Sequence, residues 1–212
     1  MRKILPNSIA LLGTYCLVMM ATPVLWNLSQ NNSVYYPTLT VIEFLGVLAM
    51  IYFAHKYAFK DQFMLKTLSL TKIKEVLYVV LGICAIFLAQ AIGSFIDINV
   101  FGQTQYSANT GYLLAVLAKY PYFLLAVVLF APIMEEFVFR KVLFANFANV
   151  IAPLSSALIS SLIFSLAHQD GHYLTYMFMG LVLCFIYART GKIRDTIMIH
   201  VFMNLIIVWS SL

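Results

Sequence analysis

The sequence predicts an all-α, polytopic membrane protein, a helical bundle with about seven transmembrane helices. Of its 212 residues, 63% are hydrophobic and only 10% are charged, whereas a soluble domain has roughly 25% charged residues. The apolar residues form runs of helix length, and short polar segments separate them. Because each crossing needs roughly 20 residues, this length leaves no room for a separate soluble domain.

Each predicted crossing corresponds to one apolar run. The runs cover residues 9–28, 38–57, 76–95, 121–147, 152–168, 173–189 and 193–212. The segments between them carry Gly, Pro and Asn, which are typical of loops. The first run is too long for the apolar core of a signal peptide, so we expect it to be retained as a helix. A single integral membrane domain over residues 1–212 follows.

Lys and Arg lie on one side of this predicted bundle. If the N-terminus is inside, twelve of the thirteen Lys and Arg residues fall in inner segments, and only Lys119 falls outside. Because basic residues are retained in cytoplasmic loops, we expect Met1 to be cytoplasmic and Leu212 to be outside. The stretch from Asp61 to Glu75 mixes basic and apolar residues, so it either lies along the inner leaflet or is a solvated loop.

The net charge of +5 does not indicate a nucleic-acid partner. Such a partner requires an exposed basic stripe, and here the basic residues are scattered between apolar runs, so the expected partners are the lipid bilayer and a membrane-associated ligand. Cys16, Cys84 and Cys184 are distant from one another and each lies in an apolar run. We interpret them as packed hydrophobic residues rather than as a disulfide framework or a zinc knuckle.

The fourth run contains three charged residues, Glu135, Glu136 and Arg140. An ionisable side chain at the bilayer centre costs roughly 2.5 to 3.5 kcal/mol, so it is retained where it serves a function. Glu136 and Arg140 are four residues apart and share a helix face, which predicts a buried ion pair. Glu135 is rotated by about 100 degrees from Glu136 in a regular helix. It is therefore the less neutralised carboxylate, available for chemistry.

Two further runs carry histidine. The fifth ends with Phe164 and His168, and the seventh contains His200 and Asn204, each pair being four residues apart on one face. A carboxylate and two imidazoles from three helices can converge in a bundle core, and within a membrane such a cluster indicates a cavity that holds water. His168 lies at the outer end of its run, further out than the other two, but we expect all three to share one cavity because separate burial of each would be costly.

Taken singly, each of these elements is as often a packing residue or a structural clasp as part of a site. Their order on three separate runs, Glu-Glu-x-x-x-Arg, Phe-x-x-x-His and His-x-x-x-Asn, resembles the CPBP family of intramembrane proteases. This family comprises CAAX prenyl proteases of the second type, bacterial Abi proteins and bacteriocin-processing enzymes. The resemblance covers residues 121–212, with no motif position substituted, and implies that they are the catalytic core and that residues 1–120 are variable N-terminal helices.

The resemblance implies an intramembrane endopeptidase that hydrolyses a peptide bond of a membrane-associated peptide or protein, in peptide maturation or in bacteriocin self-immunity. Hydrolysis needs an activated water, a proton shuttle and a stabiliser of the oxyanion. We expect Glu135 to be the general base, His168 to hold and polarise the water, and His200 with Asn204 to donate to the oxyanion. The buried ion pair of the fourth run would orient these groups.

The same carboxylate and two imidazoles, Glu135, His168 and His200, are also a common zinc ligand set with an open position for water. A metal-dependent and a glutamate-based mechanism therefore both stay open. Two other functional classes also fit a polar bundle core. A non-catalytic immunity or peptide-binding protein would keep its function without Glu135, and a transporter would show ion flux, although no inverted repeat or broken helix pair supports a transporter.

Three further ionisable residues have no assigned role. Glu43 lies about two turns inside the second run with no partner in sequence, so it is snorkelling, protonated or lining the cavity. His172 follows His168 by four residues but lacks the interposed Glu of a His-Glu-x-x-His zinc motif. We therefore interpret His172 as a loop residue and Asp170 as a solvated residue of the same loop.

Overall fold

The computed structural model describes residues 4–58, 71–104 and 108–211, and their regular structure is entirely helical. This confirms the all-α bundle. The eight helices of these residues are α1 (Ile4–Ser29), α2 (Asn32–Lys56), α3 (Lys72–Asn99), α4 (Ala108–Lys119), α5 (Pro121–Asn149), α6 (Pro153–His168), α7 (Tyr173–Thr190) and α8 (Ile193–Ser211). The terminal residues Met1 and Leu212, and the stretch from Asp61 to residue 70, lie outside the described residues.

Seven of these helices correspond to the seven predicted runs. Six are long and apolar enough to cross a membrane, and α6 is a shorter apolar helix. The twelve-residue α4 was not predicted, because the Asn, Thr and Gly near its start indicated a loop. At about 1.5 Å per residue it is too short to cross the hydrocarbon layer.

Large hydrophobic side chains cover the outside of the bundle. Leu28, Leu17 and Trp209 are among those that are mostly exposed, as a lipid-facing surface requires. Cys16 and Cys84 are also exposed, so the interpretation of them as packed residues was wrong, and it holds for Cys184, which is buried. A helix that is apolar all round does not reveal in its sequence which face points inward.

The most buried of the spanning helices is α5, and its backbone is irregular. Two segments, Ala126–Phe130 and Glu136–Asn146, have wide turns of π type, and a short α-helical segment, Ala131–Glu135, joins them. In a π turn the N–H of a residue bonds to the carbonyl five residues earlier, and such turns are frequent at functional sites. The first motif therefore lies where the regular helical ladder is interrupted.

Serine side chains of α6 stabilise the irregular part of α5. The hydroxyl of Ser156 donates to the carbonyls of Leu143 at 3.0 Å and Phe144 at 2.6 Å, and that of Ser160 donates to the carbonyl of Phe139. Within a bilayer every backbone polar group must be satisfied by the protein, and Ser side chains commonly do this where a helix is distorted.

These contacts also set the depth of α6 against α5. The two helices are antiparallel, so moving four residues from the Ser160 contact towards the end of α6 reaches Phe164 on α6 and Glu135 on α5. His168 then lies about one further turn, roughly 6 Å, in the same direction. The offset expected between His168 and the other two residues is thus present but small.

A buried carboxylate joins α3 to the start of α7. Asp97 accepts hydrogen bonds from the backbone N–H of Leu174 at 3.2 Å and from the N–H and hydroxyl of Thr175 at 2.9 and 2.8 Å. An acidic group at a helix N-terminus satisfies free N–H groups and interacts favourably with the helix dipole. Gly93, one turn earlier, allows this approach, because a Cβ there would lie 2.5 Å from the Cα of Thr175.

We predict that Asp97→Ala destabilises the protein by about 1 to 2 kcal/mol or more, because it removes the N-terminal cap of α7 inside the bundle. Thermal unfolding of the purified protein in detergent measures the effect. Asn99→Ala is the matched control, since Asn99 lies on the same turn but is exposed and donates only to the carbonyl of Phe95. Equal unfolding temperatures for the two variants would contradict this role of Asp97.

Candidate active site

The predicted ion pair of α5 is present and completely buried. Arg140 Nε lies 3.3 Å from Glu136 Oε2, and both side chains have no exposed surface. The guanidinium carbon of Arg140 lies 4.5 Å from the ring centre of Phe164 and 6.0 Å from that of Phe139. A cation above an aromatic face gains about 2 kcal/mol when both are desolvated. The carboxylate and two rings compensate part of the buried charge, but none of the three guanidinium nitrogens has a hydrogen-bond partner among the described residues.

His200 contacts both glutamates of the first motif. Its Nδ1 lies 2.9 Å from Glu136 Oε1, and its Nε2 lies 3.7 Å from Glu135 Oε2. An ionised carboxylate only accepts hydrogen bonds, so Nδ1 carries a hydrogen and donates it to Glu136. The ion pair on α5 therefore fixes the orientation of the His200 ring and directs Nε2 towards Glu135.

A cavity of about 610 Å³ lies beside these groups. It is lined by Glu135, His168, His200 and Asn204, which come from α5, α6 and α8. The side chain of Glu135 is 19% exposed, whereas that of Glu136 is fully buried. The two adjacent carboxylates thus differ as expected, one held in the ion pair and the other open to the cavity. A cavity of this size with polar side chains in its wall can hold several water molecules, each of which needs about 30 Å³.

The ring of His168 is held by its own helix and by α7. Its Nδ1 lies 2.8 Å from the carbonyl oxygen of Phe164, and its ring stacks on that of Tyr176 with centres 3.7 Å apart. Because a carbonyl only accepts, Nδ1 is the donor and the lone pair of Nε2 is left available for a water or a ligand. The Tyr176 hydroxyl donates in turn to Asp170 at 2.7 Å.

Asn204 supports the distorted backbone of α5. Its side-chain nitrogen donates to the carbonyl of Val127 at 3.3 Å. In a π turn this carbonyl would accept from the residue five positions later, which is Pro132 and has no N–H. One amide hydrogen of Asn204 is used in this way, and its role as a donor to an oxyanion stays a prediction.

Two residues outside the recognised motifs also line the cavity. His172, interpreted as a loop residue, is only 6% exposed, and its Nε2 has no hydrogen-bond partner among the described residues. It directly precedes α7 and follows Gly171, which has a φ of +89°. Asp170 accepts from the His172 N–H at 3.2 Å and is partly exposed to solvent. The sequence signal for a role of His172 was its position between a glycine and an apolar run.

The second additional residue is Glu43 of α2. Its side chain lines the cavity, as one of the three interpretations left open by the sequence had it. In the sequence, the only sign of a functional role for Glu43 is that it is a carboxylate within a predicted membrane span.

The predicted zinc ligands do not form a closed set in this arrangement. Zinc binds oxygen and nitrogen donors at about 2.0 to 2.2 Å, so three ligands must converge on one point. Within residues 4–58, 71–104 and 108–211, no three His, Cys, Asp or Glu side chains are grouped closely enough to hold one ion. Glu135 and His200 approach each other, but His168 does not complete the set.

The comparison with known families agrees with the site. Residues 111–206 match the family described as type II CAAX prenyl endopeptidase, Rce1-like. Residues 111–206 are thus similar to this family, which agrees with the resemblance carried by the three motifs. The matching segment contains all seven motif residues.

Two curated bacterial proteins are similar to this chain. One is the "Membrane-embedded CAAX protease MroQ" of Staphylococcus aureus (strain USA300), which is 32% identical over 134 residues, covering 60% of this chain and 54% of MroQ. The other is the "Putative membrane peptidase YdiL" of Bacillus subtilis (strain 168), which is 34% identical over 135 residues, covering 63% of this chain and 55% of YdiL. The chain thus spans about half the length of the curated relatives it matches. No solved structure matches it.

We predict that Arg140→Ala lowers the yield of folded protein much more than Asn204→Ala does. Leaving Glu136 as an unpaired buried charge costs about 3 to 5 kcal/mol, whereas Asn204 contributes a hydrogen bond worth about 1 kcal/mol. Yield and thermal unfolding in detergent measure the difference.

A double variant tests whether the loss comes from the pair. Glu136→Ala combined with Arg140→Ala removes both charges, so it should be more stable than the sum of the two single variants predicts. Additive losses, or equal yields for Arg140→Ala and Asn204→Ala, would show that the pair is not coupled.

Proposed function

We propose that this protein is an intramembrane endopeptidase that hydrolyses a peptide bond of a membrane-associated peptide or protein. The observation that carries the proposal is the cavity into which Glu135, His168 and His200 converge from three helices. The Rce1-like match and the peptidase names of the two relatives support it. Peptide maturation and bacteriocin self-immunity would both use this reaction.

In the mechanism we propose, Glu135 is the general base. Glu135 accepts a proton from a water molecule. The same water donates a hydrogen bond to Nε2 of His168, which orients it. The water oxygen attacks the scissile carbonyl carbon, the C–O π electrons move to the carbonyl oxygen, and a tetrahedral oxyanion forms. When it collapses, the C–N bond breaks and the leaving nitrogen takes the proton from Glu135. A positioned acid or base of this kind typically contributes a factor of about 10² to 10⁴.

The other motif residues stabilise the oxyanion and hold the site. His200, in its protonated form, donates through Nε2, and the second amide hydrogen of Asn204 is a further donor. The Glu136–Arg140 pair keeps the His200 ring in place through the 2.9 Å hydrogen bond to Nδ1. These groups are fixed before substrate binds, which is what electrostatic stabilisation of a transition state requires.

We also propose that the N-terminus is cytoplasmic. If α6 crosses together with the six longer helices and α4 does not, the number of crossings is odd and the termini lie on opposite sides. The distribution of Lys and Arg then favours a cytoplasmic N-terminus. Glu75, at the start of α3, forms ion pairs with Lys192 and Arg194 at the start of α8, so this end of the bundle would face the cytoplasm.

We predict that Glu135→Gln lowers peptide cleavage by a factor on the order of 10² to 10⁴ and leaves the unfolding temperature within a few degrees of the wild type. The amide keeps the shape of the carboxylate but cannot accept the proton of the water. Cleavage of a fluorescence-quenched apolar peptide library by purified protein in liposomes measures the loss. His55→Gln, outside the cavity on an exposed part of α2, is the matched control and should cleave normally.

The same assay separates the alternatives. Unchanged cleavage by Glu135→Gln would refute the assignment of the base, and peptide binding or immunity that survives the substitution without any cleavage in the wild type would favour a non-catalytic protein. Treatment with a zinc chelator should leave cleavage intact. Activity lost on chelation and restored by zinc would replace the glutamate mechanism with a metal-dependent one.

We predict that reporter fusions at the two termini report opposite compartments, with the N-terminal reporter in the cytoplasm, because the number of crossings is odd. A pair of reporters with known compartment dependence, such as a fluorescent protein and a periplasmic phosphatase, measures this. Reporters in the same compartment would show that α6 or another helix does not cross.

A further inference from the structure

Glu43 is a buried carboxylate that the proposed mechanism does not use. It is 8% exposed, and its Oε2 has no hydrogen-bond partner among the described residues. An ionised group buried without a partner is costly, so such a group takes up a proton, forms an ion pair or binds a cationic ligand. Glu43 lines the same cavity as Glu135, and the two carboxyl groups are close enough to interact electrostatically.

The packing of α2 on α5 places Glu43 in the cavity. Gly46 contacts Met134, since a Cβ on Gly46 would lie 3.0 Å from the Met134 sulfur and 2.8 Å from a methyl group of Val18. This close approach brings α2 against the residue that precedes Glu135. Glu43 is three residues before Gly46, which is about 4.5 Å along the helix. It therefore lies within about one helical turn of the depth of the proposed catalytic base.

Carboxylates and imidazoles line the cavity, and in the proposed mechanism the cation among them, His200, faces Glu135. The cavity lining includes the carboxylates of Glu43 and Glu135, and no Lys or Arg is found among the lining residues of the described part of the chain. The buried Arg140 is paired with Glu136 and does not line the cavity. A ligand that supplies a cation would therefore compensate the charge of Glu43, and a peptide supplies one as the side chain of Lys or Arg.

We propose that Glu43 forms a specificity subsite that binds a Lys or Arg side chain of the substrate peptide, close to the scissile bond. The proposal rests on the proposed peptidase function and adds a substrate class to it. Glu43 is not a catalytic residue in this account, because it contacts a substrate side chain away from the reacting atoms. It belongs to the N-terminal helices, outside the Rce1-like segment of residues 111–206, so this subsite is separate from the shared motifs.

The test compares cleavage of matched peptides by wild-type protein and Glu43→Gln. The peptides are short sequences of Leu, Ala and Val with a single Lys, norleucine or Glu placed at each position in turn. At one position near the cleaved bond, the wild type should prefer Lys to norleucine by a factor on the order of 10 to 100, as a charge-assisted hydrogen bond provides. Glu43→Gln should lose this preference mainly through a higher KM for the Lys peptide.

Glu75→Gln is the control for loss of an acidic side chain outside the cavity, and it should keep the preference for Lys. Thermal unfolding confirms that each variant is folded. If Glu43→Gln lowers cleavage of all three peptides equally, Glu43 has a structural or catalytic role and the subsite is refuted. A wild type that does not distinguish Lys from norleucine at any position refutes it without any variant.

Binding separates this proposal from the peptidase function. Fluorescence anisotropy with labelled peptides and Glu135→Gln protein should show tighter binding of the Lys peptide than of the norleucine peptide, and the difference should vanish when Glu43→Gln is added. This result supports the subsite even if the wild type cleaves no peptide, an outcome that would refute the peptidase function alone. Equal binding of the two peptides would refute the subsite even if cleavage is observed.

Discussion

The buried pair of Glu136 and Arg140 is the interaction on which the candidate site depends. Both side chains are completely buried, so neither charge can be compensated by solvent. Glu136 uses its other oxygen to accept from His200, which orients that ring towards Glu135, and Arg140 is covered by Phe164, the ring that also packs against His168 at 4.6 Å. A single ion pair on α5 therefore holds residues of α6 and α8. Its net effect on stability is small, because desolvation offsets the attraction, but its loss would leave a buried charge and release both imidazoles.

A second constraint is that the lipid cannot satisfy backbone polar groups. The wide turns of α5 place two adjacent glutamates on either side of one imidazole, but they also leave carbonyls to be satisfied by other helices. Ser156 and Ser160 of α6 and Asn204 of α8 donate to them. The polar residues around α5 thus have two tasks, since those that satisfy its backbone also fix the relative depth of the helices that carry His168 and His200.

The sequence was sufficient for features that depend on local spacing. The seven apolar runs, the Glu136–Arg140 pair and the sharing of one cavity by Glu135, His168 and His200 follow from helical period and from the cost of burying charge in lipid. Features that depend on packing between helices could not be predicted from the sequence. Nothing local distinguishes the face of α2 that carries Glu43 from its other faces, because the approach of Gly46 to Met134 decides it. The burial of His172 was missed because its position in a turn gives no local sign of it, and the role of Asp97 was missed because its partners are about 78 residues away, on α7.

The central claim is that residues from three helices share one cavity that admits water within the membrane. Reactivity of single cysteines towards a charged, membrane-impermeant thiosulfonate measures this directly, because the thiolate that reacts forms only where water is present. In a background without Cys16, Cys84 and Cys184, the substitutions Glu135→Cys, His168→Cys and Asn204→Cys should all react, and an apolar peptide should protect all three. Leu166→Cys, on the exposed lipid-facing side of α6, should not react. Reaction of the three cavity positions no faster than that of Leu166→Cys would contradict the account.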